Sequence, residues 1–266
     1  MKIIIFGSDG MLGKYLDRFL SLTYDIVPLT RKDIDLAKSS QYEIYNFLSG
    51  FVGENDIIIN SSGIIKQRSY DLVDMIKVNS IFPNTLADFK KSKKCNVVHI
   101  STDCVYSGKV GNYHEDSPHD CLDEYGKTKS LGENKGLTII RTSIIGEETK
   151  NKRSLVEWIK SKSNSEIDGY TNHLWNGVSC LELSKLIGDM IKENNFWEGT
   201  RHVFSPSPTS KFDLVNIINE VYGLNITINK KETEIDCFRN LDSIFCPLIE
   251  KDLRDQILEM KNFKIQ

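Results

Sequence analysis

The sequence predicts an α/β fold, a doubly wound parallel sheet followed by a smaller α/β C-terminal lobe. Three observations carry that reading. Short β-branched apolar runs alternate with segments of helical periodicity, the pattern that right-handed βαβ units impose. The first run ends in glycine and passes straight into a helix, and near residue 145 the apolar runs give way to Lys, Glu, Ser and Asn.

The run KIIIFG, residues 2–7, is too short for a buried helix and lacks polar alternation, as expected of a strand covered on both faces. Leu12, Tyr15, Leu16, Phe19 and Leu20 then recur at helical spacing. DIVPLT is a second strand, QYEIYNFLSGF a helix and DIIINSSG a third strand. In MIKVNSIFPNTLADFKKS a helix is interrupted or begins near Pro83, and NVVHIST supplies a fourth strand. LTIIRTSIIG reads as another core strand. Beyond it, VSCLELSKLIGDMIKENN, KFDLVNIINEVYG and IEKDLRDQILEM have the period of amphipathic helices between short strands. We therefore expect one domain over residues 1–145 and a smaller lobe over 146–266, with a soft boundary that chain segments cross.

A chain of 266 residues can bury a substantial core. Its 34 basic and 37 acidic side chains leave a formal net charge of -3, no footprint for nucleic acid or a membrane surface, while a small or acidic partner stays open. Six cysteines (Cys95, Cys104, Cys121, Cys180, Cys237 and Cys246) show neither metal-like nor disulfide-like spacing. They are expected to be reduced thiols of a soluble cytoplasmic protein without a metal site. Glycine cuts the N-terminal apolar run before a signal-peptide core forms, and no stretch approaches the roughly 18 apolar residues of a membrane span.

Gly7, Gly10 and Gly13 lie between the first strand and first helix at G-x-x-G-x-x-G spacing, enclosing Asp9, Met11 and Leu12. Glycine lets the backbone approach a pyrophosphate, and the N–H groups and dipole at the helix N-terminus attract it. The plainer reading is a tight turn, but the position in the first βα turn favours a Rossmann-type dinucleotide site. At the end of the second strand, where an NAD site commonly offers an acid to the ribose, stand Thr30, Arg31 and Lys32. Arg31 suits a 2′-phosphate and favours NADPH, while Asp33 close behind keeps NADH possible. Asp35 and Leu36 either flank the adenine or start a helix.

Tyr125 and Lys129, four residues apart in a segment with almost nothing apolar, share one face of a predicted helix. A neighbouring ammonium favours the phenolate and is expected to lower the Tyr125 pKa, so that the pair exchanges a proton with an alcohol or carbonyl oxygen. A solvent-facing Tyr beside a solvated Lys is the bland alternative. Against it, Ser101 and Thr102 end a predicted central strand at the carboxyl edge, where such sheets place ligands. A hydroxyl there can donate to a substrate carbonyl, although either residue could instead cap a turn.

Taken in order, the glycine turn, NSSG at 60–63, STDCVYSG and EYGKTKSLGE resemble the extended short-chain dehydrogenase/reductases. Within them, the S-T-D-x-V-x-x-G and Y-G-x-x-K-x-x-G-E signatures are most similar to the dTDP-4-dehydrorhamnose reductases and related nucleotide-sugar 4-ketoreductases. The likeness runs through about the first 145 residues and continues weakly in RTSIIG, GYTNHLWNGVSCLELSKLI and FRNLDSIF. It implies that Thr102 polarises the keto oxygen, Tyr125 donates the proton, and Lys129 binds the nicotinamide ribose and tunes Tyr125. It places Gly7, Gly10 and Gly13 at the pyrophosphate, and Asn60, Ser61, Ser62 and Gly63 along the cofactor with Ser101. It also implies a nucleotide-sugar substrate in the C-terminal lobe, a role in surface polysaccharide, and makes a homodimer unsurprising. Cys104 stands where an aromatic is expected, NSSG replaces Asn-Ala-Ala, and GIIKQRS departs from the rhamnose enzyme, which leaves the sugar open.

In the C-terminal lobe, Arg153, Lys152, Trp175, Asn176 and Arg239 are candidates for diphosphate, base or sugar, since Arg forks phosphate and aromatics stack. Ordinary packing is the alternative for each. Two other functions fit the same scaffold. An epimerase or dehydratase would need a second acid or base beside the tyrosine, and STDCV offers Asp103 with no adjacent glutamate. A non-catalytic NADP-binding regulatory subunit gives no reason to keep Thr102, Tyr125 and Lys129 together.

Overall fold

The computed structural model describes residues 1–65, 71–150 and 152–265. The first half runs β1 (Lys2–Phe6), α1 (Met11–Leu20), β2 (Asp25–Leu29), α2 (Gln41–Ser49), β3 (Ile57–Asn60) and α3 (Leu72–Ile76). A π-helical turn over Lys77–Ile81 leads into α4 (Phe82–Lys93), followed by β4 (Asn96–Thr102), α5 (Glu124–Leu131) and β5 (Thr138–Thr142). The second half contains β6 (Ile144–Ile145), α6 (Leu155–Lys160), β7 (Glu166–Tyr170), β8 (His173–Trp175), β9 (Val178–Ser179) and α7 (Cys180–Lys192). It ends with β10 (Gly199–His202), β11 (Thr209–Ser210), α8 (Lys211–Tyr222), β12 (Thr227–Lys231), β13 (Cys237–Phe238) and α9 (Leu253–Asn262).

Six strands form a parallel sheet in the order β10-β5-β4-β3-β1-β2. This is the doubly wound, Rossmann-type frame that the alternating pattern predicts. Its strands are apolar on both faces because both faces are covered. Ile3 and Ile5 join the core that includes α1 and α7, whereas Ile4 and Phe6 join the core beneath α2 and α4. Each fully buried isoleucine contributes on the order of 1.5–3 kcal/mol, so β1 anchors both layers. The chain leaves β1 toward β2 on one side and β3 on the other, so strand order reverses at β1/β3, where open sheets leave a crevice beyond their carboxyl ends.

The helical stretch before β4 is continuous through Pro83, with its interruption upstream. Proline has no N–H to return to the Asn79 carbonyl, and the π turn over Lys77–Ile81 absorbs the missing bond. The sheet takes its sixth strand, β10, from beyond residue 145, and α7 packs on α1. The rest of the C-terminal half forms small sheets: β12 with β7, β11-β8-β13, and β6 with β9. Among the described residues no helix is long and apolar enough to cross a membrane.

Candidate active site

A cleft of about 920 Å³ opens over the carboxyl ends of β1, β3, β4 and β5. At one end the turn after β1 is built around close backbone contacts. Gly7 has φ +76°, and a methyl group on it would sit 2.9 Å from the Ser62 Cα. One on Gly13 would sit 2.0 Å from the Gly7 carbonyl oxygen. Gly13 therefore shapes the cradle from behind, while Gly7, Asp9, Gly10, Met11 and Leu12 line it. Among the described residues no side chain caps α1 at Gly10, which suits an external anion at the helix start. These features fit a dinucleotide pyrophosphate.

Arg31, Asp35 and Leu36 line the same end. Arg31 is largely exposed and lies 3.9 Å from Asp35, an ion pair loose enough to yield to a phosphate. Asp33 is turned away, accepting from the Thr30 N–H and hydroxyl at 2.8 Å each, bonds that hold its carboxyl below the ordinary range. Ser61, Ser62 and Gly63 line the cleft, but Asn60 does not. Asn60 is buried, its amide facing His99 Nδ1 at 3.0 Å and its carbonyl accepting from the Ser62 N–H and hydroxyl. It fixes the turn from beneath.

At the centre, β4 ends in Ser101 and Thr102, and α5 presents Tyr125 and Lys129; all four line the cleft. Asp123 caps α5 by accepting from the Gly126 N–H at 2.8 Å. The helix needs few apolar residues because it docks through glycine: a methyl group on Gly126 would sit 2.2 Å from the Cys104 carbonyl oxygen. Lys129 is buried, its ammonium donating to the Ile100 carbonyl at 2.6 Å, and burial pushes its pKa down to about 8. Burial pushes the Tyr125 phenol up, with Thr102 pulling the other way. The lowered Tyr125 pKa expected from Lys129 alone is therefore not what the chain's own groups produce. Desolvation leads, Cys104, Asp103 and Asp123 act in the same direction, and Tyr125 stays a protonated donor at neutral pH.

Three groups escaped the sequence reading. Asn79, in the π turn, is completely buried; its amide accepts from the Ile64 N–H and donates to the Ile64 carbonyl, both at 2.9 Å, and donates to Thr128 at 3.2 Å. It ties the turn after β3 to α5. Glu133, quoted in the motif without a role, accepts from Ser101 at 2.5 Å and pairs with buried Arg141, which also donates to Tyr106. Lys211, the first residue of α8, lines the cleft with Asp103, Cys104 and Arg239. No local spacing signals any of these, since each is joined to the site through contacts distant in sequence.

Of the C-terminal candidates, Arg153, Trp175 and Arg239 line the cleft. Asn176 does not. It is buried, its amide donating to the Leu241 carbonyl and accepting from the Leu241 N–H, both at 2.8 Å, a latch between segments rather than a ligand contact. Lys152 is exposed and outside the cleft lining. Of the departing segment GIIKQRS, residues 66–69 lie outside the described residues.

The family model described as RmlD substrate binding domain matches residues 1–233. Across 245 residues the chain is 28% identical to the spore coat polysaccharide biosynthesis protein SpsK of Bacillus subtilis, covering 88% of this chain and 83% of that protein. It is 31% identical over 234 residues to a dTDP-4-dehydrorhamnose reductase of Burkholderia thailandensis, covering 79% of this chain and 74% of the relative. Among solved structures, a dTDP-4-dehydrorhamnose reductase of Bacillus anthracis in complex with NADP superposes with a TM-score of 0.82 at 21% identity, covering 98% of each chain. That likeness shows the shared fold.

Proposed function

The chain belongs to the RmlD substrate binding domain family, and on that premise we propose that it reduces the C4 keto group of a nucleotide-linked 4-keto-6-deoxyhexose with NADPH, as a dTDP-4-dehydrorhamnose reductase-like enzyme of deoxysugar biosynthesis. The observation that carries the reading is the meeting of Thr102, Tyr125 and Lys129 in the cleft that also contains the glycine cradle. The relatives named dTDP-4-dehydrorhamnose reductase support the substrate class, and SpsK supports a polysaccharide context.

A reduced nicotinamide held along the cradle supplies the hydride when bound. The chain's own part is proton delivery and orientation. Thr102 donates a hydrogen bond to the keto oxygen and fixes the carbonyl against Tyr125. As that oxygen gains negative charge, Tyr125 passes it the phenolic proton, and the phenolate left behind is stabilised by the Lys129 ammonium. Burial keeps Tyr125 protonated until the oxygen calls for the proton.

Reduction is favoured over dehydration by the residue after Asp103. Burial pushes the Cys104 thiol up to about 12, with the Asp103 charge acting in the same direction, so it offers no second acid–base group at neutral pH. Nicotinamide absorbance, followed with NADPH and then NADH against dTDP- and UDP-linked 4-keto-6-deoxy sugars, tests the proposal. Oxidation of NADPH by one of them is expected, and Tyr125→Phe should lower turnover by about 10²–10⁴-fold while keeping cofactor binding. Tight NADPH binding with no oxidation by any of these sugars would instead favour the regulatory subunit.

A further inference from the structure

Beside Asp35 and Leu36 the cleft carries a second carboxylate, Asp74 of α3, together with the apolar side chains of Ile34, Ile65 and Val78. Two lysines tie this wall to the loop after β2. The Lys38 ammonium donates to both Asp74 oxygens, at 3.3 and 3.4 Å, and the Lys77 ammonium, from the π turn, donates to the Ala37 carbonyl at 2.9 Å. The helical stretch that bears Asp74 is therefore held against the segment that bears Asp35. The two carboxylates are committed differently. Asp35 accepts from the Ala37 N–H at 3.0 Å and lies 3.9 Å from Arg31, so it serves its own turn and the guanidinium at the phosphate end. The Asp74 side chain is 27% exposed and that of Lys38 71%, a pair at the rim of the cleft. Lys38 offsets the Asp74 charge without filling the roughly four acceptor positions of a carboxylate.

We propose that Asp74 determines the base specificity of the cofactor site by accepting a hydrogen bond from the 6-amino group of adenine. The inference rests on the dinucleotide reading of the cleft and deepens it. The glycine cradle and Arg31 take the two phosphate groups of the adenosine half, which leaves the base to the end where Ile34, Ile65 and Val78 stand with Asp74. Those side chains suit a flat purine face, but its edge needs a polar partner. Adenine offers two N–H donors at C6, and an ionised carboxylate is an acceptor only. A 6-oxo purine presents a carbonyl oxygen at the same place and meets the carboxylate as a second acceptor. The contact therefore selects adenine by rejection as well as by attraction. With Lys38 paired to it, Asp74 can face a neutral base while adding little net negative charge beside the cofactor phosphates.

The test is a fluorescence titration of NADPH and of deamino-NADPH, in which hypoxanthine replaces adenine, into the wild-type protein, Asp74→Ala, Asp74→Asn and Lys38→Met. The wild-type protein should bind NADPH about tenfold tighter than the deamino form, the scale of one hydrogen bond to a charged group. Asp74→Ala should bring the two within a factor of about two. Asp74→Asn, whose amide can donate to a 6-oxo group, should narrow the preference at least as far. Lys38→Met removes the ion pair but keeps the acceptor, so its preference should stay near that of the wild-type protein. Equal wild-type affinities, or a preference that survives in Asp74→Ala, overturn the assignment and leave the dinucleotide reading standing. A preference lost in Lys38→Met as fully as in Asp74→Ala also overturns it, because the pair then acts by holding α3 in place. A wild-type protein that binds neither cofactor overturns the dinucleotide reading as well.

Discussion

Gly126 of α5 lies against the backbone of Cys104 so closely that a single methyl group would come within 2.2 Å of the Cys104 carbonyl oxygen. The contact sets the distance between the helix bearing Tyr125 and the strand end bearing Thr102. Its partner is backbone, which cannot swing aside as a side chain can. Gly126→Ala should therefore displace α5 by a sizeable fraction of an ångström and cost on the order of 10²-fold in turnover, the scale of a misplacement of about 1 Å at a reacting centre. The cradle lies on other elements, so NADPH affinity should change far less than turnover. Steady-state rates together with a fluorescence titration of NADPH separate the two, and wild-type turnover would mean that α5 has slack.

Cofactor choice rests on a different pair. Asp33, two residues after Arg31, already accepts two hydrogen bonds from Thr30 and lies outside the cleft lining, whereas Arg31 and Asp35 line it. Arg31→Ala should weaken NADPH by about tenfold, the scale of a lost charge-assisted phosphate contact, and leave NADH within a factor of about two. Equal losses for both cofactors would place Arg31 away from the 2′-phosphate.

What could be read in the sequence was whatever a short stretch encodes by itself. The spacing of Gly7, Gly10 and Gly13, the runs of β1, β3 and β4, and the Tyr125–Lys129 interval all lie within one turn, strand or helix. Lys211 begins a helix in SPTSKFD, and nothing nearby says that the fold sets it over Trp175, thirty-six residues upstream. Asn176 misleads for the opposite reason: beside a tryptophan it looks like a ligand contact, whereas its amide is consumed by Leu241. For Tyr125 the sequence displays one neighbouring charge, Lys129, whereas the burial that raises its pKa arises only in the packed structure. The same holds for β10, which becomes part of the main sheet by pairing with β5 across a long separation.

Lys129 makes binding sensitive to pH. Burial sets its pKa at about 8 against an ordinary 10.5, with Glu133 pulling back up. Below pH 8 the folded and unfolded chains both carry the charge, and the folded state bears the cost of burying it. As pH rises from about 8 toward 10.5 the folded state sheds the proton first, and that cost disappears. An anionic dinucleotide beside the ammonium favours its charged form, so NADPH binding near pH 8 should take up a fraction of a proton. Calorimetry in two buffers of different ionisation enthalpy measures the uptake, and Lys129→Met should abolish it. Binding with no uptake in the wild-type protein would place Lys129 out of reach of the cofactor.

The pair behind Ser101 bears on stability and catalysis together. Glu133 is 5% exposed and Arg141 2%, with Arg141 donating to Glu133 at 2.9 Å from Nε and 2.5 Å from Nη2. Burial works to raise the Glu133 pKa, but the bonds and charge of Arg141, with help from Ser101, outweigh it and hold the carboxyl below its ordinary 4.5. The stabilisation is therefore present above the unfolded value and is lost as pH falls through the lower folded one. Glu133→Ala leaves the Arg141 guanidinium buried without its counter-ion and should destabilise by about 3–5 kcal/mol. Glu133→Leu combined with Arg141→Met removes both charges and should recover much of that loss in denaturant unfolding. Turnover should behave differently. Ser101 loses the carboxylate that anchors its hydroxyl in the single and the double variant alike, so both should be slow even where stability returns. If activity returned along with stability, the pair would serve the fold alone, and Ser101 would need no anchor.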